Sequence, residues 1–232
     1  MIIDVIIPAL NEEKSIGFVI KAIPKGFVRN IYVCDNNSSD ATTVRALEAG
    51  AQVLVAGKKG YGSACQAGIQ KIIANGTANY PDILVFIDGD YSDYPEEMIL
   101  LVDKMQTEGL DLVIGSRISG NLEKGALTIV QRFGNKLATY LIKILFHYHF
   151  TDLGPFRAIR FQKLLELKME DPNYGWTVEM QVKAAKHKFR VGEVPVSYRK
   201  RIGISKISGT FKGVIGAGSK ILLIIFKSFV KG

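Results

Sequence analysis

Apolar residues in the first half of the chain fall into short runs separated by stretches with helical spacing. Residues 2–7 (Ile-Ile-Asp-Val-Ile-Ile) form such a run and end at Pro8, which predicts a buried parallel strand. Ile16, Val19, Ile20 and Ile23 then repeat at helical spacing. Asn11 is the expected N-cap, Glu12 and Glu13 suit a first turn, and Pro24 and Gly26 stop the helix. Further strands are predicted at 30–34, 51–56, 82–87 and 110–114. The helices between them are predicted over roughly 40–48, from 62 to about 74, and over 95–107, where Pro95 suits a first turn. This alternation predicts an α/β fold with a doubly wound, mostly parallel sheet and ligands at the carboxyl ends of the strands.

The rhythm changes after Arg117. Residues 128–148 predict a long helix, 152–157 a loop, and 175–187 another helix. Residues 192–198 read as a strand whose Pro195 places it at a sheet edge. A basic stretch, 199–206, leads to an apolar, lysine-dotted tail over 211–232. On a helix, Lys212, Lys220, Lys227 and Lys231 of that tail share an arc of about 100°, the pattern of an interfacial helix whose lysines meet lipid headgroups. The longest uninterrupted apolar run there, 221–226, is too short to span a bilayer.

Charge divides the chain as sharply as the pattern does. Residues 1–116 carry a net charge of −6 and residues 117–232 a net of +14, within a total of +8. An acidic half suits a cation, and a basic half suits an anionic partner. A basic half would also suit a non-catalytic nucleic-acid-binding module, but no nucleic-acid motif is present. The two cysteines, Cys34 and Cys65, make neither a disulfide framework nor a four-ligand zinc site, and are expected as reduced thiols. Three histidines without HExxH argue against a histidine-based zinc hydrolase.

Each polar cluster falls at a predicted strand end. Asp88 and Asp90, one residue apart after a buried strand, would repel each other unless a cation lies beside them. Mg²⁺ or Mn²⁺ takes one or two carboxylates together with phosphate oxygens. Pro8, Ala9, Asn11 and Glu12 leave the first strand where an amide and a carboxylate read a base or ribose, and Asp35 ends the second strand, where a carboxylate accepts from a base N–H. Asp40 is the expected cap of the next helix. The glycine-rich stretch 57–62 lacks GxxxxGK[ST], and no GxGxxG follows the first strand, which argues against a kinase, GTPase or dehydrogenase.

In order along the chain stand 6–13 (IIPALNEE), 35–42 (DNNSSDAT), 88–90 (DGD), 115–117 (GSR) and 201–206 (RIGISK). In this combination the chain resembles a family 2 glycosyltransferase with the GT-A fold, and within that group the dolichyl-phosphate (polyprenyl-phosphate) mannose and glucose synthases. The resemblance covers about residues 2–210. It implies a single domain over 1–210, with a nucleotide-sugar half at 1–116 and an acceptor half at 117–210, followed by the amphipathic tail.

The resemblance also implies roles. Pro8, Ala9, Asn11, Glu12 and Asp35 bind the donor nucleotide, while Asp88 and Asp90 hold the donor diphosphate through Mg²⁺ or Mn²⁺. Arg117 meets the acceptor phosphate, Arg132 resembles a second acceptor arginine, and Arg201, Ser205 and Lys206 close over both phosphates. The reaction implied is inverting transfer of a hexose from a GDP- or UDP-sugar to a polyprenyl phosphate, on the cytoplasmic face of a membrane and without nucleic acid. A hydroxyl acceptor on a glycan or lipid is the alternative. It needs a base, for which Asp152 and Glu179 are candidates. Close relatives often carry Gln where this chain has Ser92, so Ser92 or Asp93 is expected to complete the metal's ligands.

Overall fold

The computed structural model describes residues 1–203 and 211–230. Its strands are β1 (Ile3–Ala9), β2 (Asn30–Asp35), β3 (Gln52–Val55), β4 (Ile83–Phe86), β5 (Leu112–Ser116), β6 (Arg157–Arg160) and β7 (Val191–Pro195). Its helices are α1 (Ile16–Ala22), α2 (Thr42–Glu48), α3 (Tyr61–Ala74), α4 (Met98–Thr107), α5 (Ile129–Phe146), α6 (Phe161–Leu167), α7 (Trp176–Lys186) and α8 (Phe211–Val230). The six predicted strands and the helices between them all form, with ends shifted by a few residues.

The strands make one sheet in the order β3-β2-β1-β4-β6-β5-β7. All seven residues of β1 are buried, because helices cover both faces. Successive side chains point to opposite faces, so Ile6 enters one layer while Val5 and Ile7 enter the other. The Ile6 layer packs against α3, α5, α6 and α7 through residues such as Cys65, Ile69, Ile142, Phe161 and Trp176. The Val5 layer packs against α1, α2 and α4 through Ile16, Ala46, Leu101 and Met105. Cys34 and Cys65 are free and buried in the first layer, and burial pushes the Cys34 thiol up to about 12.

The sheet is mostly parallel, as expected, with one strand that was not predicted: β6 lies between β4 and β5 and runs antiparallel to both. Its sequence, Arg-Ala-Ile-Arg, is short and ends in charges, so part of it reads as loop. Arg157 is nonetheless fully buried, and its guanidinium donates to the carbonyls of Thr177 (2.9 Å), Leu153 (3.3 Å) and Gly154. Asn11 does not cap α1, whose N-cap is Ser15; Asn11 instead takes a left-handed φ of 54°. Within the expected tail, Phe211–Val230 forms α8, and its Ile225 is fully buried in the core. Of the α8 lysines with described side chains, Lys220 pairs with Asp171 at 2.9 Å, and Lys227 is exposed on a groove that Lys183 and Lys186 of α7 also line. Pro195 does mark an edge, because β7 closes the sheet.

Ile159 sits between Leu84 and Leu112 at the centre of the inserted strand and is fully buried. Ile159→Ala is expected to cost about 2–5 kcal/mol. Urea unfolding should show a lower midpoint with an unchanged slope.

Candidate active site

The carboxyl ends of β1, β2, β4 and β5 meet along one edge, and their loops interlock. Asn11 N–H donates to Ser38 Oγ at 2.9 Å, and Asn11 Oδ1 accepts from Ser39 N–H at 2.8 Å. Glu12 N–H donates to Thr42 Oγ1 at 2.8 Å. Asp40 stands just outside α2, where its carboxylate accepts from Thr42 N–H at 3.0 Å. Pro8 and Ala9 lie opposite Cys34 and Asp35 in the parallel ladder. Asp35 is buried and already engaged, by Ser38 N–H at 3.0 Å on Oδ1 and by Thr43 Oγ1 at 2.9 Å on Oδ2. The Asp35 carboxylate is therefore fixed in place by its own loop.

The acidic pair follows β4. Tyr61 Oη donates to Asp88 Oδ1 at 2.9 Å. Asp90 Oδ1 accepts from Ser92 N–H at 2.9 Å and from Ser92 Oγ at 2.5 Å. Ser92 thus braces Asp90. Asp93 is buried and, among the described residues, neither of its carboxylate oxygens has a hydrogen-bond partner. Burial and the neighbouring Asp90 push the Asp88 carboxyl up to about 7. Burial, together with Asp88 and Asp90, pushes Asp93 well above the ordinary carboxylate range.

Three carboxyl groups in one water-poor corner, one of them with no donor, form a site short of positive charge. Their hard oxygens fit Mg²⁺ or Mn²⁺. Among the described residues no group of three or more acidic, histidine or cysteine side chains is arranged to hold a metal ion by itself. The arrangement suits an ion that completes its shell with ligand oxygens.

The basic segment after β7 folds over this corner. Arg201 bridges Glu12 (Nη2 to Oε1, 2.7 Å) and Asp90 (Nη1 to Oδ2, 3.2 Å), and Ile202 N–H donates to the Asp90 carbonyl at 3.0 Å. It thus joins the first and third polar segments, as a charge-neutralising clamp. Arg199, not singled out by the sequence, lies 3.5 Å from the Tyr91 ring centroid and 3.9 Å from that of Tyr94. Its Nε donates to the Tyr91 carbonyl at 2.7 Å. These contacts fix the loop that carries Asp90. Ser205 and Lys206 lie outside the described residues.

Arg117 leaves β5 into a two-pronged pair with Asp152: Nε to Oδ2 at 2.7 Å and Nη2 to Oδ1 at 2.7 Å. Burial opposes the Arg117 charge, but Asp152 outweighs it and raises the arginine's pKa. Among the described residues Nη1 makes no hydrogen bond, and the guanidinium carbon lies 5.1 Å from the Tyr198 ring centroid. Asp152 is fully buried and also accepts from Arg117 N–H at 2.9 Å. It holds the arginine and is not placed as a base.

Glu179 is likewise structural. Its oxygens accept from Glu170 and Asp171 N–H at 2.9 and 2.8 Å, and Lys183 pairs with it at 2.8 Å. Arg132 is exposed in the first turn of α5. No local pattern marked Tyr61, Arg199 or Glu193; Glu193 accepts from Thr151 N–H at 2.9 Å and steadies the loop that presents Asp152.

Comparison with known proteins agrees with this geometry. The profile of "Glycosyl transferase family 2" matches residues 4–167. An uncharacterized glycosyltransferase of Mycobacterium tuberculosis (strain ATCC 25618 / H37Rv) is 36% identical over 216 residues, 92% of this chain and 93% of that protein. A dolichyl-phosphate hexose transferase of Haloferax volcanii is 30% identical over 228 residues, 95% of this chain and 92% of that protein. Glucosyl-3-phosphoglycerate synthase from Mycobacterium tuberculosis, solved with Mn²⁺, uridine diphosphate and glucosyl-3-phosphoglycerate, superposes with a TM-score of 0.78 at 23% identity. That match covers 99% of this chain and 80% of the other, and the shared fold is GT-A.

The carboxyl cluster makes stability depend on pH. Asp88 binds its proton more tightly when folded than when unfolded, so stability due to it is present below about 4 and is lost as pH rises to about 7. In chelator, the melting temperature should therefore fall across that window. Mn²⁺ should counter the fall, and Asp88→Asn should flatten it; thermal melts at stepped pH check both. Asp152→Ala is expected to cost about 3–5 kcal/mol by stranding buried Arg117, read as a lowered urea midpoint.

Proposed function

The chain belongs to glycosyl transferase family 2, and on that premise we propose that it moves a hexose, with inversion, from a nucleoside-diphosphate sugar to a polyprenyl phosphate at a membrane surface. The donor lies along the edge formed by Pro8, Ala9, Asn11, Glu12 and Asp35, with its diphosphate at Asp88 and Asp90. A divalent ion bound there, Mg²⁺ or Mn²⁺, supplies a Lewis acid for the departing diphosphate. Arg201 adds a second positive charge beside the same oxygens, released from Glu12 and Asp90 as the donor's charge arrives. Lys206 and Ser205 belong to the same segment and are assigned to the phosphates with it. Fixed charges of this kind stabilise a leaving group without reorganising solvent.

The acceptor reading rests on two features. Both expected bases, Asp152 and Glu179, are occupied as structural partners. A hydroxyl acceptor would need such a base, whereas a phosphate monoester brings an oxygen already anionic near neutral pH. Arg117, locked at two nitrogens by Asp152, presents its remaining edge as a rigid phosphate contact, and rigid placement is what the attack then needs.

The observation that carries the lipid reading is the apolar surface beside Arg117. Ile129, Val130, Phe133, Leu137, Tyr140 and Ile144 of α5 are all exposed, from 36% to 85%. At helical spacing they fall within one arc of about 100°, with Arg132, Lys136 and Lys143 along its edge. α8 continues the surface with exposed Leu223, Phe226, Phe229 and Val230, and Phe146 meets Phe229 edge-on at 6.1 Å.

Asn135 of α5 ties this surface to the site. It donates to the Thr151 carbonyl at 2.9 Å and accepts from Leu153 N–H at 2.8 Å, on either side of Asp152. An apolar face flanked by cations suits an anionic bilayer, where each surface lysine or arginine adds about 1 kcal/mol. No described helix is long and apolar enough to cross a membrane, so the proposed contact is peripheral. It is made by the α5 arc and the apolar side of α8.

The test is a panel of GDP- and UDP-hexoses with Mg²⁺ or Mn²⁺ against a polyprenyl phosphate in phosphatidylglycerol vesicles. The expected result is metal-dependent release of nucleoside diphosphate, with Asp90→Ala reduced by about 10²–10³-fold. Arg117→Ala should raise the KM for the lipid acceptor more than that for the donor. Phe133→Asp combined with Tyr140→Asp should abolish cosedimentation with the vesicles while leaving nucleotide binding intact. Full turnover on 3-phosphoglycerate, with none on the lipid, would replace the lipid by a soluble phosphorylated acceptor.

A further inference from the structure

The glycine-rich turn at 57–62 has no phosphate-binding pattern, yet the structure pins it from two sides. Gly60 adopts a φ of 134°, and its N–H donates to Asn36 Oδ1 at 3.0 Å. That anchors the turn to the residue following Asp35. On the other side a Cβ on Gly60 would collide with the Pro172 carbonyl, and one on Gly62 with the Asp171 carbonyl. Ser63 donates to the Pro172 carbonyl from N–H at 2.9 Å and from Oγ at 3.2 Å. Both neighbours are backbone, so a side chain at either glycine would push the turn off its seat.

Between the two glycines stands Tyr61. Its ring packs against the core layer that holds Phe86 and Trp176, and its hydroxyl reaches Asp88 Oδ1 at 2.9 Å. Apolar packing alone would be served as well by phenylalanine. A half-buried phenol needs a partner for its O–H, and here the partner is one of the two carboxylates assigned to the donor diphosphate.

We propose that Tyr61 is a positioning residue for this reaction: its phenol holds one oxygen of Asp88 so that the carboxylate keeps a single orientation toward the cation and the donor diphosphate. The inference rests on the reading of Asp88 as a cation ligand. Partners of this kind fix ligand orientation before the ion arrives, and their loss typically weakens metal affinity about 10–100-fold. The same seat explains the turn. Asn36 and the Asp171–Pro172 carbonyls fix the backbone on both sides of Tyr61, so the position of the hydroxyl is set by the fold and not by a free rotor.

The experiment is Mn²⁺ titration of the purified full-length protein, with UDP and separately with GDP present, followed by loss of the free-Mn²⁺ electron paramagnetic resonance signal. Tyr61→Phe keeps the ring and removes only the hydroxyl. It should raise the Mn²⁺ dissociation constant by about 10-fold or more while the melting temperature in chelator stays near that of the wild type. Tyr61→Met, a second phenol-free side chain, should show the same weakening. Wild-type Mn²⁺ affinity in both variants would overturn the positioning role and leave the metal reading of Asp88 intact. Absence of Mn²⁺ binding by the wild-type protein with either nucleotide would overturn that reading, and the positioning role with it.

Discussion

Negative charge concentrated at the end of β4 is the constraint around which the second half of the molecule is arranged. Asp88, Asp90 and Asp93 share a corner with little water, where their charges repel and the proton affinities of Asp88 and Asp93 rise. A fold selected for stability alone would not collect them there. Everything basic nearby answers this corner: Arg201 reaches across to Glu12 and Asp90, and Arg199 is stacked to hold the loop beneath it. Arg117 stands on the far side with a carboxylate of its own.

Arg117 and Asp152 show how a charged group is kept ready in a dry site. Left unpaired, the buried arginine would cost several kcal/mol. Paired at both prongs, it is neutralised and aimed. The same pairing occupies Asp152, so one ion pair fixes the arginine and removes the carboxylate as a free base. Glu193 and Asn135 hold the loop that makes the pairing possible, and Asn135 links it to the helix carrying the apolar face. The Arg117–Asp152 pair and the exposed apolar face of α5 are thereby linked through one loop.

Relatives with this fold act on different acceptors. Glucosyl-3-phosphoglycerate synthase shares the architecture at 23% identity, and a dolichyl-phosphate hexose transferase shares 30% of the sequence. In this chain the exit of β5 carries Arg117 paired with Asp152, and among the described residues α5 and α8 each expose an apolar side.

The α/β alternation, six of the seven strands and the polar segments at their carboxyl ends could be read directly from the chain. Each depends on local pattern: a buried strand needs a run like Ile3–Ala9, and an acidic pair at its end has few structural uses. Strand β6 escaped because Arg157 is buried only through carbonyls brought from Leu153, Gly154 and Thr177, a partnership no local pattern announces. Asp152 and Glu179 resembled free carboxylates until tertiary contacts supplied their partners, and the α8 lysines resembled a lipid-facing row until Asp171 claimed Lys220. Tyr61 acquires meaning only when loops around 36 and 172 seat it against Asp88. Sequence determined which elements form and where charge collects, because those depend on neighbours in the chain. Tertiary structure decided which charges are spent on each other and which face a ligand, because that depends on partners tens of residues away.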